Sequence, residues 1–167
     1  MPAESHTKKI ALLGIMLGVV IAITTLEHMF IVPFFPPHAK PGLANIVVMY
    51  SVFTIGRRQA VMLNILKSLF VLITRGAIAG LLSLSGGLFS IIIIITLASI
   101  KKKQASYAAV SVAGAVTHNL GQFIVVIFLM STPALAYYMP VLIVSGIITG
   151  LITGTLLKML IPILKRI

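Results

Sequence analysis

Long apolar stretches recur along this chain, each closed by a short cluster of lysine or arginine or by a proline-bearing segment. Crossing the hydrocarbon core of a bilayer takes about 20 mostly apolar residues in a helix, and several of these stretches approach that length. A water-soluble fold has no way to hide so much apolar surface. Of 167 residues, 59% are hydrophobic and 9% charged, against about 25% charged in an ordinary soluble domain. The expected architecture is therefore all-α: one integral membrane bundle of about six helices, residues 9–167, behind a short polar N-terminal segment, residues 1–8.

The spans follow from the punctuation. Span one covers residues 10–32 and stops at the proline-rich segment 33–41, where fixed backbone angles and missing donors prevent a helix from continuing. It is too long for the apolar region of a secretory signal, and no small-residue cleavage pattern closes it, so it reads as a retained span. Span two, residues 43–55, is short and ends at Gly56, Arg57 and Arg58. Span three runs over 59–74 and ends at Arg75. Span four holds five consecutive isoleucines, 91–95, but residues 88–100 alone fall short of a bilayer. The stretch 76–87 is then loop, re-entrant segment or helix, and the sequence leaves all three open. Spans five and six cover 107–130 and 138–157.

Basic residues set the orientation, because positive loops stay on the cytoplasmic side. With the N-terminus inside, the inner segments hold Lys8, Lys9, Arg57, Arg58, Lys101, Lys102, Lys103, Lys158, Lys165 and Arg166. Lys40 and Arg75 fall outside and Lys67 falls within span three. Both termini are therefore expected in the cytoplasm, and the chain in a cell membrane as a multi-pass protein. The net charge of +11 is accounted for by this topology. Its bases form short clusters between spans and lack the aromatic interleaving of a single-strand binder, so no nucleic-acid partner is expected.

The chain contains no cysteine and no aspartate, and its only acids are Glu4 and Glu27. Disulfides, thiolate metal sites and cysteine nucleophiles are excluded. No phosphate-binding glycine loop and no HExxH-type spacing occur, so neither nucleotide hydrolysis by that route nor a metal site built from Glu27, His28 and His118 is expected. The reading is of a chain that is not an enzyme and carries no cofactor.

Polar side chains inside spans are costly and therefore informative. Lys67 lies midway between Arg58 and Arg75, near the bilayer midplane, and shares a helix face with Asn64, Ser68 and Val71 at i, i+3 and i+4 spacing. It serves either a structural hydrogen-bonded cluster or a bound solute. Glu27 falls about 27 Å beyond Lys9, at the outer end of span one. His118, Asn119 and Gln122 fall about 22–28 Å beyond Lys103, at a similar depth in span five. Asn45 and Arg75 belong to the same side. Polar groups from different spans that share one level inside an apolar wall describe a ligand pocket, and equally describe helices bonded to their neighbours. The cations Arg75 and Lys67, with His118, against one carboxylate favour an anionic or amphipathic solute.

Two ridges of small residues complete the pattern. Gly14, Gly18 and Ala22 recur every four residues on span one, and Gly146, Gly150 and Gly154 do so on span six. Such ridges let helices approach closely, within one chain or between two.

The run GLANIVV at 42–48 and the run GAVTHNLGQ at 114–122, with SLSGGL at 83–88 and PVLIVSGIITGLITG at 140–154, resemble the Gx transporter family, also labelled heptaprenyl diphosphate synthase component I. The resemblance extends from residue 26 to the C-terminus. Members are similar to the substrate-binding S components of energy-coupling factor transporters. That resemblance implies a six-helix membrane subunit holding a vitamin-like solute near its outer face, with a separate transmembrane coupling subunit and an ATPase pair as partners. It places Glu27, Asn45, His118, Asn119 and Gln122 at the family's polar positions and the Gly14, Gly18, Ala22 face at the docking surface. The synthase label fits the residues less well. Prenyl diphosphate synthases hold magnesium through aspartate-rich motifs, and hard magnesium needs oxygen ligands. An accessory subunit for isoprenoid or quinone synthesis, or a proton-coupled carrier using Glu27, His118 and Lys67, are the alternatives.

Overall fold

The computed structural model describes residues 2–31, 42–100, 106–131 and 137–164. The segments 33–41 and 101–103, with Lys165 and Arg166, lie outside these residues. The described chain is helical throughout. Helix α1 (Pro2–Leu26) passes into a π-helical turn (Glu27–Ile31), and α2 (Ala44–Thr54), α3 (Arg57–Arg75), α4 (Ala77–Ile100), α5 (Tyr107–Met130) and α6 (Met139–Leu164) follow. Residues 2–8 of the polar segment form the first turns of α1.

Four stretches are long and apolar enough to cross a membrane: Ile10–Met29, Ala77–Ser99, Tyr107–Met130 and Met139–Ile161. The chain is thus an all-α membrane bundle. The two remaining helices depart from that pattern for different reasons. Helix α2 has 11 residues, about 16 Å at 1.5 Å per residue, and reaches half-way across. Helix α3 has 19, long enough to span, but carries Arg57, Arg58, Lys67 and Arg75.

Helix α3 is amphipathic in the membrane sense. Ala60, Leu63, Asn64, Lys67, Ser68 and Val71 are buried at i, i+3 and i+4 spacing, while Met62, Ile65, Leu66, Leu69 and Ile73 are exposed to what would be lipid. Polar atoms turn inward because hydrocarbon offers them no partner. The face that the spacing groups together, Asn64, Lys67, Ser68 and Val71, is the buried one.

The open question over residues 76–87 is resolved as helix. Helix α4 runs unbroken from Ala77 for 24 residues, and its glycines serve contact rather than breakage. A Cβ on Gly86 would lie 2.8 Å from the His118 carbonyl oxygen, and one on Gly87 would strike the Asn64 amide. The joint between α2 and α3 is Ile55 with Gly56 at φ 145°, and that between α3 and α4 is Gly76 alone at φ 88°. Only glycine takes such angles without steric cost, which lets successive helices reverse within one or two residues.

Two apolar clusters fill the half of the bundle away from the cavity described below. Met16, Val20, Ala44, Val48, Leu63 and Ile91 join α1 to α4 through α2. Ile46, Met49, Ile94, Val110, Leu157 and Ile161 join α2 and α4 to α5 and α6. Short α2 is therefore a central plug that contributes to both.

Helices α5 and α6 pack along their length. The ridge Gly146, Gly150, Gly154 makes this possible: Cβ atoms on these residues would meet the backbone of Val116, Val112 and Ala108. A buried hydroxyl pair, Ser111 to Thr153 at 2.5 Å, ties the same seam. The other ridge is unfilled. Gly14, Gly18 and Ala22 are exposed, and a Cβ on either glycine would have no neighbour within 4 Å.

Candidate functional site

The helix ends that close the other half of the bundle surround a cavity of about 280 Å³, close to the lower end of the range for small-molecule pockets. Its wall draws on the end of α1, the start of α2, the end of α3, the start of α4, the second half of α5 and the start of α6. Alternating helix directions bring these segments to one level, which is the level that residue counting from the basic clusters gives.

All seven polar residues singled out from the sequence, Glu27, Asn45, Lys67, Arg75, His118, Asn119 and Gln122, line this one cavity. Each is held by a neighbour. Glu27 sits where α1 changes to the wider π-helical turn, and its Oε1 accepts the Leu43 backbone N–H at 2.5 Å. Leu43 precedes α2, whose first amides have no partner inside the helix, so a carboxylate there matches both hydrogen bonding and the helix dipole. Lys67 Nζ donates to Asn45 Oδ1 at 2.6 Å, fixing α3 against the first turn of α2. Arg75 Nη2 donates to the Thr24 carbonyl oxygen at 2.5 Å, drawing the end of α3 onto α1.

On α5 the polar groups are one turn apart. His118 Nε2 and Gln122 Nε2 lie 3.2 Å from each other, and Asn119 Nδ2 donates to the Leu142 carbonyl oxygen of α6 at 2.9 Å. His118 is buried, and its Nδ1, like the Thr24 hydroxyl, meets no hydrogen-bond partner among the described residues. Both residues line the cavity. Buried polar atoms are nearly always paired, so such orphans mark a place where a further partner would be accommodated.

The rest of the wall was not picked out from the sequence. Val71, Ala79, Leu82, Phe123, Val126, Met130, Tyr138 and Leu142 form it with Ser83. In a chain this apolar, nothing in residue type separates such side chains from core or lipid-facing ones. A smaller hollow of about 40 Å³ lies deeper, toward Asn64, Ser90, Ser111 and Thr153, and shares Asn45, His118 and Asn119 with the larger one. Asn64 is fully buried there, and neither of its amide atoms is paired among the described residues.

The cavity thus offers fixed charges, neutral hydrogen-bonding groups and an apolar surface, the equipment for holding a small molecule. Among the described residues no three His, Asp or Glu side chains gather as a metal site would need.

A family model described as heptaprenyl diphosphate synthase component I matches residues 16–160, which include every residue of the cavity wall. No curated protein and no solved structure matches the chain.

Proposed function

Since the chain belongs to the heptaprenyl diphosphate synthase component I family, and since its polar residues surround a cavity, we propose that it is a solute-binding membrane subunit of an importer powered by partner proteins. In this reading it acts in the manner of the S component of an energy-coupling factor transporter. It takes a small vitamin-like or anionic, amphipathic solute at the outer face of the cell membrane. The cavity carries this reading: charged and neutral polar groups from α2, α3, α4, α5 and the α1 end converge on one hollow within an apolar bundle, as ligand pockets require.

The open ridge on α1 supports the second half of the reading. Gly14, Gly18 and Ala22 present a flat, uncovered strip to the membrane, suited to receive a helix of a transmembrane coupling subunit. Energy would come from an ATPase pair on that subunit, since the chain itself has no phosphate-binding loop.

The family description favours a second reading, a membrane accessory subunit for isoprenoid synthesis. With no aspartate, the chain lacks the magnesium-holding motif that prenyl transfer uses, so any such role would be non-catalytic. Co-purification separates the two: an ATPase-bearing module supports import, a soluble prenyl synthase supports the accessory role. The cavity itself is tested by native mass spectrometry of detergent-purified protein. A small molecule should be retained by the wild type and lost from Glu27→Gln and His118→Ala. Unchanged affinity in both variants overturns the assignment of this cavity as the binding site.

A further inference from the structure

Two amide side chains of the wall are each held by one atom, and the chemistry of the holder decides which atom is left over. Lys67 Nζ meets the Asn45 amide at 2.6 Å. An ammonium only donates, so the amide oxygen must face it and the Asn45 NH2 remains. Asn119 meets the Leu142 carbonyl at 2.9 Å. A carbonyl only accepts, so the Asn119 NH2 must face it and its oxygen remains. Neither amide makes a second hydrogen bond among the described residues, and neither is fully buried. Both line the large cavity and the smaller hollow beneath it, and with Gly42 and His118 they are the residues common to the two. The hollow, at about 40 Å³, has room for only about three water molecules, so side chains at its mouth stand around a space the size of one small polar group. The neck between cavity and hollow therefore carries a fixed donor from α2 and a fixed acceptor from α5.

We infer that the cavity recognises its solute by an amide-type edge, a carbonyl acceptor beside an N–H donor, carried on an apolar body of about two fused rings. This rests on the cavity being the solute site. The solute carbonyl accepts from the Asn45 NH2, and the solute N–H donates to the Asn119 oxygen. Lys67 and the Leu142 carbonyl stand behind them as positioning groups, because each keeps its amide from turning over. The body lies along Val71, Phe123, Val126 and Leu142. Its size follows from the space: benzene fills an engineered cavity of about 150 Å³, and the cavity here, at about 280 Å³, is close to twice that. A solute of the same shape without the N–H would leave the Asn119 oxygen enclosed and unpaired. Sites built to bond a polar group reject analogues that lack it for this reason.

The test uses the purified full-length chain in lipid nanodiscs and four uncharged two-ring compounds of nearly one size. Carbostyril carries the N–H beside the carbonyl, its N-methyl derivative and coumarin keep only the carbonyl, and naphthalene has neither. Binding is read by calorimetry against empty nanodiscs, with thermal unfolding to establish that each variant is folded. Wild type should bind carbostyril about tenfold or more tightly than the N-methyl compound and coumarin. Asn119→Leu should bring carbostyril and coumarin to equal affinity. Asn45→Asp, which keeps an oxygen for Lys67 but replaces the free NH2, should weaken all three carbonyl compounds and leave naphthalene unchanged. A wild type that binds coumarin or the N-methyl compound as tightly as carbostyril overturns the inference whether or not the variants fold, as does binding of none of the four or a preference that survives Asn119→Leu. Native mass spectrometry tests the cavity separately: a small molecule retained by wild type and lost from Glu27→Gln and His118→Ala, with no preference among the four compounds, would keep the solute site and reject the amide edge.

Discussion

Two helices of this protein carry the same ridge and use it differently. On α6, Gly146, Gly150 and Gly154 are pressed against the backbone of α5. On α1, Gly14 and Gly18 face open space. Spacing alone is the same in both, four residues apart, and it guarantees only that a backbone is approachable. What fills the ridge is decided by topology. Helix α6 follows α5 and folds back along it, whereas the neighbours of α1, short α2 and α3, pack on its other side through Met16 and Val20. Under the proposed importer reading, this empty close-packing surface is the one a coupling subunit would fill.

The contrast can be broken by substitutions at matched positions. Gly150→Ala places a methyl against the Val112 main chain, which cannot move as a side chain can. Overpacking of this kind costs about 1–3 kcal/mol, and the upper end is expected here, read as a lowered unfolding midpoint in detergent. Gly87→Ala meets the Asn64 side chain first, not main chain, so a smaller loss of about 1 kcal/mol is expected in the same assay. Gly18→Leu, alone or with Gly14→Leu, should leave the midpoint within about 0.5 kcal/mol of wild type. Its effect should be seen instead as loss of partner-dependent uptake with solute binding retained. If Gly18→Leu unfolds the protein as readily as Gly150→Ala, the difference between the ridges disappears.

Much of the fold was legible because membranes impose simple rules. Apolar length and basic punctuation place all six helices, and α5 begins and ends where the sequence reading has it, at Tyr107 and Met130. Helix α4 was harder. From sequence the stretch 76–87 is loop, re-entrant segment or helix alike, and its Gly86 and Gly87 are contact points against His118 and Asn64, a distinction that exists only once the partner helices are in place. The cavity divided in the same way. Its polar half was visible because a lysine or glutamate inside a span is expensive and therefore conspicuous. The apolar half, Phe123, Val126 and Leu142 among it, was not, since a valine beside a ligand and a valine beside lipid are the same residue in the same surroundings.

The seam between α5 and α6 has a consequence for selectivity. Main chains that already touch have no slack to yield to a larger guest, and α4 is locked to the same seam through Gly86, Gly114 and Gly121, where added methyl groups would meet α5 or α4 atoms. Under the proposed solute-binding reading, the α4–α5 side of the hollow, where Gly86 abuts His118 and Gln122, would act as a fixed mould. Broadening the range of accepted molecules would then require carving lining side chains such as Phe123 or Leu142 down.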